Sequence, residues 1–116
     1  MRRTYHDLIA WQRAILLAKE TYVLSEGFPA AERFGLTCQM RHSAVSVASN
    51  IGEGASSGTK RGFIQFLNIA RRSLAELETQ ITIVVELGMF PDAKQIRALA
   101  DEIFGLLNGL IKSMRR

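Results

Sequence analysis

Cysteine is almost missing from this chain: Cys38 is the only one in 116 residues, so no internal disulfide can form. With a single thiol and two histidines, the ligand set of a structural zinc site is missing as well. Proline is confined to Pro29 and Pro91, each in a short break between long patterned segments. No stretch approaches the roughly 18 uninterrupted apolar residues of a membrane span. The opening residues, Met1-Arg2-Arg3-Thr4-Tyr5-His6-Asp7, carry charge but neither an apolar run nor a small-residue cleavage site. No signal peptide is therefore expected, and the cytoplasm is the expected location. What the chain does have is material for a core. Hydrophobic residues make up 47% and charged residues 22%, which excludes disorder, and the length suits one domain spanning residues 1–116.

The net charge of +4 is unevenly placed. Residues 33–75 hold Arg33, Arg41, Lys60, Arg61, Arg71 and Arg72 against Glu53 alone, 6 − 1 = +5. Residues 76–102 hold Glu76, Glu78, Glu86, Asp92, Asp101 and Glu102 against Lys94 and Arg97, 2 − 6 = −4. Lys112, Arg115 and Arg116 add charge at the end. One part of the surface is thus suited to polyanions and another is not.

The apolar pattern has helical period throughout, with no hairpin signal. The first helix is expected to start near Asp7 as N-cap, carry the stripe Leu8, Trp11, Ile15, Ala18 and Tyr22, and end at Gly27 before Phe28-Pro29. Residues 30–35 suit one short turn. The second runs from about Leu36 to Ile51 on Leu36, Met40, Ser43, Val47 and Ile51, widened by Ala44, Val45 and Ala48, and the glycines of 52–58 break it. The third begins at Thr59 and repeats through Phe63, Leu67, Ala70, Leu74, Leu77, Ile81 and Val84 up to Gly88. Asp92 caps the fourth, whose stripe is Ile96, Leu99, Ile103, Leu106 and Leu110. Short connections favour antiparallel neighbours, so the expected fold is an all-α, up-down-up-down four-helix bundle. Ile64, Ile69, Ile83, Val85, Ala100, Phe104, Leu107 and Ile111 lie off these stripes. That surplus predicts a second buried surface and self-association.

Catalytic arrangements are sparse. Cys38 and His42 share a helix face, yet nothing nearby supplies an orienting third group or an oxyanion hole, so Cys38 reads as a buried structural cysteine. The Arg-to-His spacing of HEPN-type ribonucleases is missing, since Arg41 directly precedes His42 and Arg3 is too close to His6. The glycines of 52–58 follow a helix and lack the lysine-serine ending of a phosphate loop. Ser46, Asn50 and Glu53 form a polar row that either binds a ligand or, the preferred reading, hydrogen-bonds the start of the third helix and fixes register. Arg61 and Arg72, eleven residues apart, lie on one helix side, with Lys60, Arg71 and Arg41 as neighbours in a strip suited to phosphates. A merely solvated face is the competing reading of that strip.

An ordered set of segments runs through the chain: Asp7-Leu8-Ile9-Ala10-Trp11-Gln12, Phe28-Pro29, Phe34-Gly35-Leu36-Thr37, Gln39-Met40-Arg41, Ser46-Val47-Ala48-Ser49-Asn50-Ile51-Gly52-Glu53-Gly54, Phe66-Leu67-Asn68-Ile69-Ala70-Arg71 and Ser73-Leu74-Ala75-Glu76-Leu77-Glu78-Thr79-Gln80. Over about residues 5–112 it resembles the four-helix-bundle proteins encoded within intervening sequences of bacterial large-subunit ribosomal RNA genes. The resemblance implies kinship with the accessory proteins of diversity-generating retroelements, pentameric assembly, no established enzymatic activity, and association with structured RNA or a ribonucleoprotein. The family's basic positions fall on Arg41 and Arg71. Where the family commonly has glycine after the second arginine, this chain has Arg72, which adds charge.

The expected protein is a non-enzymatic homo-oligomer, a pentamer by resemblance, that binds structured RNA or a ribonucleoprotein through Arg41, Lys60, Arg61, Arg71 and Arg72. No cofactor, metal, membrane or small-molecule substrate is expected. The alternative is a protein-binding scaffold or accessory subunit that recruits a partner such as a reverse transcriptase. An enzyme built on Glu53 and Asn50 is the third reading.

Overall fold

The computed structural model describes residues 5–115, apart from the side chain of Asp7. The expected Asp7 cap therefore lies outside the described side chains. A short 3-10 turn, Tyr5–Asp7, leads into α1 (Ile9–Ser25), and a second, Ala30–Glu32, precedes α2 (Leu36–Ala55). Then come α3 (Lys60–Glu86) and α4 (Lys94–Met114), with no strand among the described residues.

The α3 termini follow the sequence signals closely. Thr59 is the N-cap, its Oγ1 accepting the Gly62 N–H at 2.9 Å. Gly88 takes φ +74°, its N–H donating to the Val85 carbonyl while that of Met89 donates to Val84, a Schellman ending. Asp92 serves α4 by accepting the Lys94 N–H at 2.7 Å. Gly27, by contrast, is not left-handed, and α1 stops at Ser25 with Glu26 still in right-handed helical geometry.

Each helix packs on two neighbours in the cycle α1–α2–α3–α4–α1. Contact order gives the directions. Thr82 meets Arg97 and Arg71 meets Asn108, so eleven steps down α3 match eleven steps up α4. Ser25 meets Arg41 while Trp11 lies against Gly52, and Ser46 meets Ser73 while Gly54 lies against Phe63 and Phe66. Arg13 meets Glu102 toward the start of α1, whereas Glu20 and Leu24 line a groove with Ile96. Every adjacent pair is antiparallel, which is the up-down-up-down bundle.

The predicted stripes of α2 and α3 face the core: Met40, Val47, Ile51, Leu67, Ala70, Leu74, Leu77, Ile81 and Val84 are fully buried. The stripe chosen for α1 is right only in part: Leu8, Trp11 and Ala18 pack against the core half-buried, but they are not its inner row. Its inner row is Ala10, Ala14, Leu17, Thr21 and Ser25, while Ile15 and Tyr22 are exposed. Burial of Thr21 and Ser25 is tolerated because each hydroxyl donates to a carbonyl of its own helix, at 2.8 and 3.2 Å. In α4, Ala100, Leu107 and Ile111 belong to the protein's own core, and Leu106 and Leu110 are only half-buried. The predicted surplus on α3 and α4 is thus largely used internally.

A second correction concerns α2, which continues through Gly52 and Gly54 instead of breaking after Ile51. These glycines let neighbours come close. A Cβ on Gly54 would stand 2.7 Å from Phe66 Cβ and 3.0 Å from Phe63 Cδ1, and one on Gly52 would meet Trp11 and Tyr5 at 3.6 Å. Only Gly58, at φ +87°, turns the chain.

Gly54→Ala is expected to destabilise the protein by about 1–3 kcal/mol through overpacking, despite alanine's better helix propensity. Gly105→Ala in α4, where a new Cβ meets nothing within 4 Å, is expected to stabilise by about 0.5–1 kcal/mol. Urea unfolding of both variants checks this, and a neutral or stabilising Gly54→Ala would remove the close-packing explanation.

Candidate nucleic-acid interface

The antiparallel register of α3 and α4 decides which cations share a surface. Carried on from the Arg71–Asn108 contact, Lys112 comes level with Leu67 and Arg115 with Ile64. The first half of α3 and the second half of α4 therefore form one end of the bundle, carrying Lys60, Arg61, Arg71, Arg72, Lys112 and Arg115. Residues 60–75 and 103–115 contain no carboxylate. Among the described residues none of these six cations is ion-paired. In the sequence alone, Lys112 and Arg115 only add charge at the end. No local motif marks them, and only the α3–α4 register brings them to Arg71.

Arg71 is the positioned member of the group. Its Nη1 donates to Asn108 Oδ1 and its Nη2 to Asn68 Oδ1, both at 2.7 Å. Both partners are neutral, so the guanidinium is held across the α3–α4 seam with its charge uncompensated. Arg72 lies beside it in a groove of about 630 Å³ lined by Gln65, Phe66, Asn68 and Ile69. Arg61 and Arg72 are both exposed on the outer side of α3. Lys60 is exposed at the helix start.

Arg41 does not join them. Its Nε donates to Ser25 Oγ at 2.8 Å, and its guanidinium stacks over the Tyr22 ring at 4.5 Å, which fixes it to the α1–α2 seam. In a cyclic four-helix arrangement that seam is opposite the one Arg71 occupies. Arg41 shares its surroundings with Arg33, Phe34, Cys38 and His42. Cys38 is exposed there, not buried as a structural cysteine would be.

The polar row also divides. Asn50 Nδ2 donates to the Ser46 carbonyl and Oγ, at 2.8 and 3.0 Å, and Ser46 Oγ pairs with Ser73 Oγ at 2.9 Å. The link thus reaches the middle of α3 and not its start. Glu53 stands apart, exposed on the α1 side with Tyr5 and Trp11. Asn50 and Glu53 therefore do not converge on one point. No group of three or more His, Cys, Asp or Glu suited to a metal occurs among the described residues, and no described helix is long and apolar enough to cross a membrane.

The opposite end of the α3–α4 seam is acidic. Burial, then the charge of Asp101 and a hydrogen bond shared with it, hold the Glu78 carboxyl above its usual range, with Arg97 acting the other way. A carboxyl raised in the folded state contributes stability that is present below its unfolded pKa and lost as pH rises through the folded one. Glu78→Gln is thus expected to stabilise the protein near neutral pH and raise its melting temperature, by no more than about 1 kcal/mol at this partly exposed site. The gain should fade as pH falls through the raised folded value and be gone below about 4. Thermal melts at both conditions check it, and an equal shift at both would show that charge is not the cause.

A sequence profile of the 23S rRNA-intervening sequence protein family matches residues 6–109, most of the chain. No curated protein sequence matches it.

Proposed function

We propose that this chain, which belongs to the 23S rRNA-intervening sequence protein family, is a non-enzymatic, self-associating bundle that binds structured RNA or a ribonucleoprotein through its basic end. The observation that carries this reading is the group of six cations at the basic end of α3 and α4, none of them ion-paired among the described residues and with no carboxylate in the segments that carry them. Phosphate binding needs cationic charge that no internal carboxylate neutralises, and counterion release makes the affinity salt-dependent. Arg71, already oriented by two asparagines, loses little side-chain freedom on contact. The contacts assigned are Lys60, Arg61, Arg71, Arg72, Lys112 and Arg115. Arg41 is assigned to holding α1 against α2.

Self-association is assigned to the outer side of α1, on a different observation. Ile9, Ile15, Tyr22 and Val23 are 55%, 45%, 44% and 56% exposed, while the fully inward row of the same helix has Leu17 as its one large side chain beside Ala10, Ala14, Thr21 and Ser25. Bulk outside and mostly small residues inside is the reverse of a helix that meets only one core. The same surface would serve the second reading, a scaffold for a protein partner such as a reverse transcriptase, in which RNA contact is secondary.

Fluorescence anisotropy against a ribosomal-RNA stem-loop, over a salt series, tests the RNA reading. Arg71→Glu/Arg72→Glu and Lys112→Glu/Arg115→Glu are each expected to weaken binding at least about tenfold and flatten the salt dependence, whereas Arg41→Gln leaves it nearly unchanged. Full affinity in both charge-reversed proteins would sink this reading. Light scattering tests the other part. Ile15→Glu is expected to lower the assembled mass, and a wild-type monomer at all concentrations would overturn self-association.

A further inference from the structure

Phe34 is the most exposed large apolar side chain described, at 86%. It sits at the corner between the second 3-10 turn and α2, with the Arg33 guanidinium 5.4 Å from its ring centroid. Its own core gains nothing from it. A phenyl ring presented beside an arginine is the composition of an interface anchor.

A receptor of matching chemistry exists on another side of the same bundle. Between the last turns of α1 and the start of α4 lies a groove of about 520 Å³, with Val23, Leu24, Phe90 and Ile96 as apolar lining. Glu20 and Asp92 stand in it as carboxylates, with Lys94 as the one cation. The balance is 1 − 2 = −1, opposite in sign to Arg33. The groove is roomy enough for a benzyl side chain, and its carboxylates suit a guanidinium arriving with it.

We infer that the Arg33–Phe34 corner of one copy seats in the α1–α4 groove of a second copy, Phe34 on the apolar lining and Arg33 toward Glu20 and Asp92. This rests on the self-association reading above and names its anchor. Both halves of the contact lie level with the last turns of α1: the corner shares a groove with Tyr22, and the receptor includes Glu20 and Leu24. They occupy opposite flanks of that helix, toward α2 and toward α4. A contact between such unlike surfaces is head-to-tail, so each copy keeps one half of the pair free for a further copy. The exposed Val23 and Tyr22 are then covered in the same contact.

The test uses the full chain in a Cys38→Ser background. Ala31→Cys, exposed in the turn beside the anchor, and Gln95→Cys proteins are prepared separately, mixed, and treated with a short bis-maleimide. A covalent dimer is expected in the mixture and in neither protein alone, because the contact joins unlike surfaces. Phe34→Ala, whose side chain supports nothing in its own fold, is expected to raise the concentration for half-assembly at least about tenfold. Assembly that persists by light scattering without cross-linking in the mixture, and with Phe34→Ala unaffected, would overturn this contact and leave self-association standing. A wild-type protein that is monomeric throughout would overturn both.

Discussion

The close approach of α2 to α3 is the constraint on which the rest of the structure depends. Gly54 admits Phe63 and Phe66 to a distance that any side chain would forbid. Packing of this kind tolerates no sliding, and the Ser46–Ser73 and Asn50–Ser46 hydrogen bonds hold the register midway along the pair. With α3 fixed, α4 packs antiparallel along its other flank. Only one register lets Arg71 reach Asn108 while Arg97 reaches Thr82. The position of the basic end is thus a consequence of packing elsewhere.

That register also sorts charge along the molecule. In sequence the acidic residues follow the basic ones along α3, whereas in α4 the basic residues come last. Antiparallel packing brings these basic segments together at one end of the seam, while the carboxylates collect toward the other with Lys94 and Arg97 among them. Like charges brought together oppose folding, and the raised Glu78 carboxyl beside Asp101 is the local sign of it. A fold that keeps six cations at one end, none of them ion-paired among the described residues, lacks the compensation that interspersed carboxylates would give. The arrangement becomes favourable when a polyanion supplies the missing charge, which is why the basic end, and not the polar row, is assigned to function.

How much of this the sequence held depends on the element. In α3 the apolar repeat is single and unbroken, and Thr59 and Gly88 mark its ends, so the stripe and both termini were legible. In α1 two apolar rows of the same period compete. Choosing the bulkier one failed, because a helix lying against close neighbours turns Ala10, Ala14 and Thr21 inward. The glycines after Ile51 carried a second ambiguity, since glycine both ends helices and lets them approach. The facing side chains of Phe63 and Phe66 resolve it, and they lie a helix away. Arg41 and Arg71 were equally basic in the sequence. What separates them is a partner sixteen residues back in one case and thirty-seven forward in the other, information that only the packed bundle contains.

The misread stripe of α1 ties the two proposed surfaces together. If Ile15, Tyr22 and Val23 had faced inward, α1 would resemble α3, and its outer side would have nothing to offer a second copy. Because they face outward, an exposed apolar surface lies on the outer side of α1, the helix diagonal to α3 in the bundle. Copies joined side by side through α1 leave every seam open to solvent. Phosphates that a single bundle holds weakly would then meet several seams at once, and linked weak contacts bind far more tightly than any one of them. On the proposed reading, self-association would multiply polyanion binding without using any of its residues.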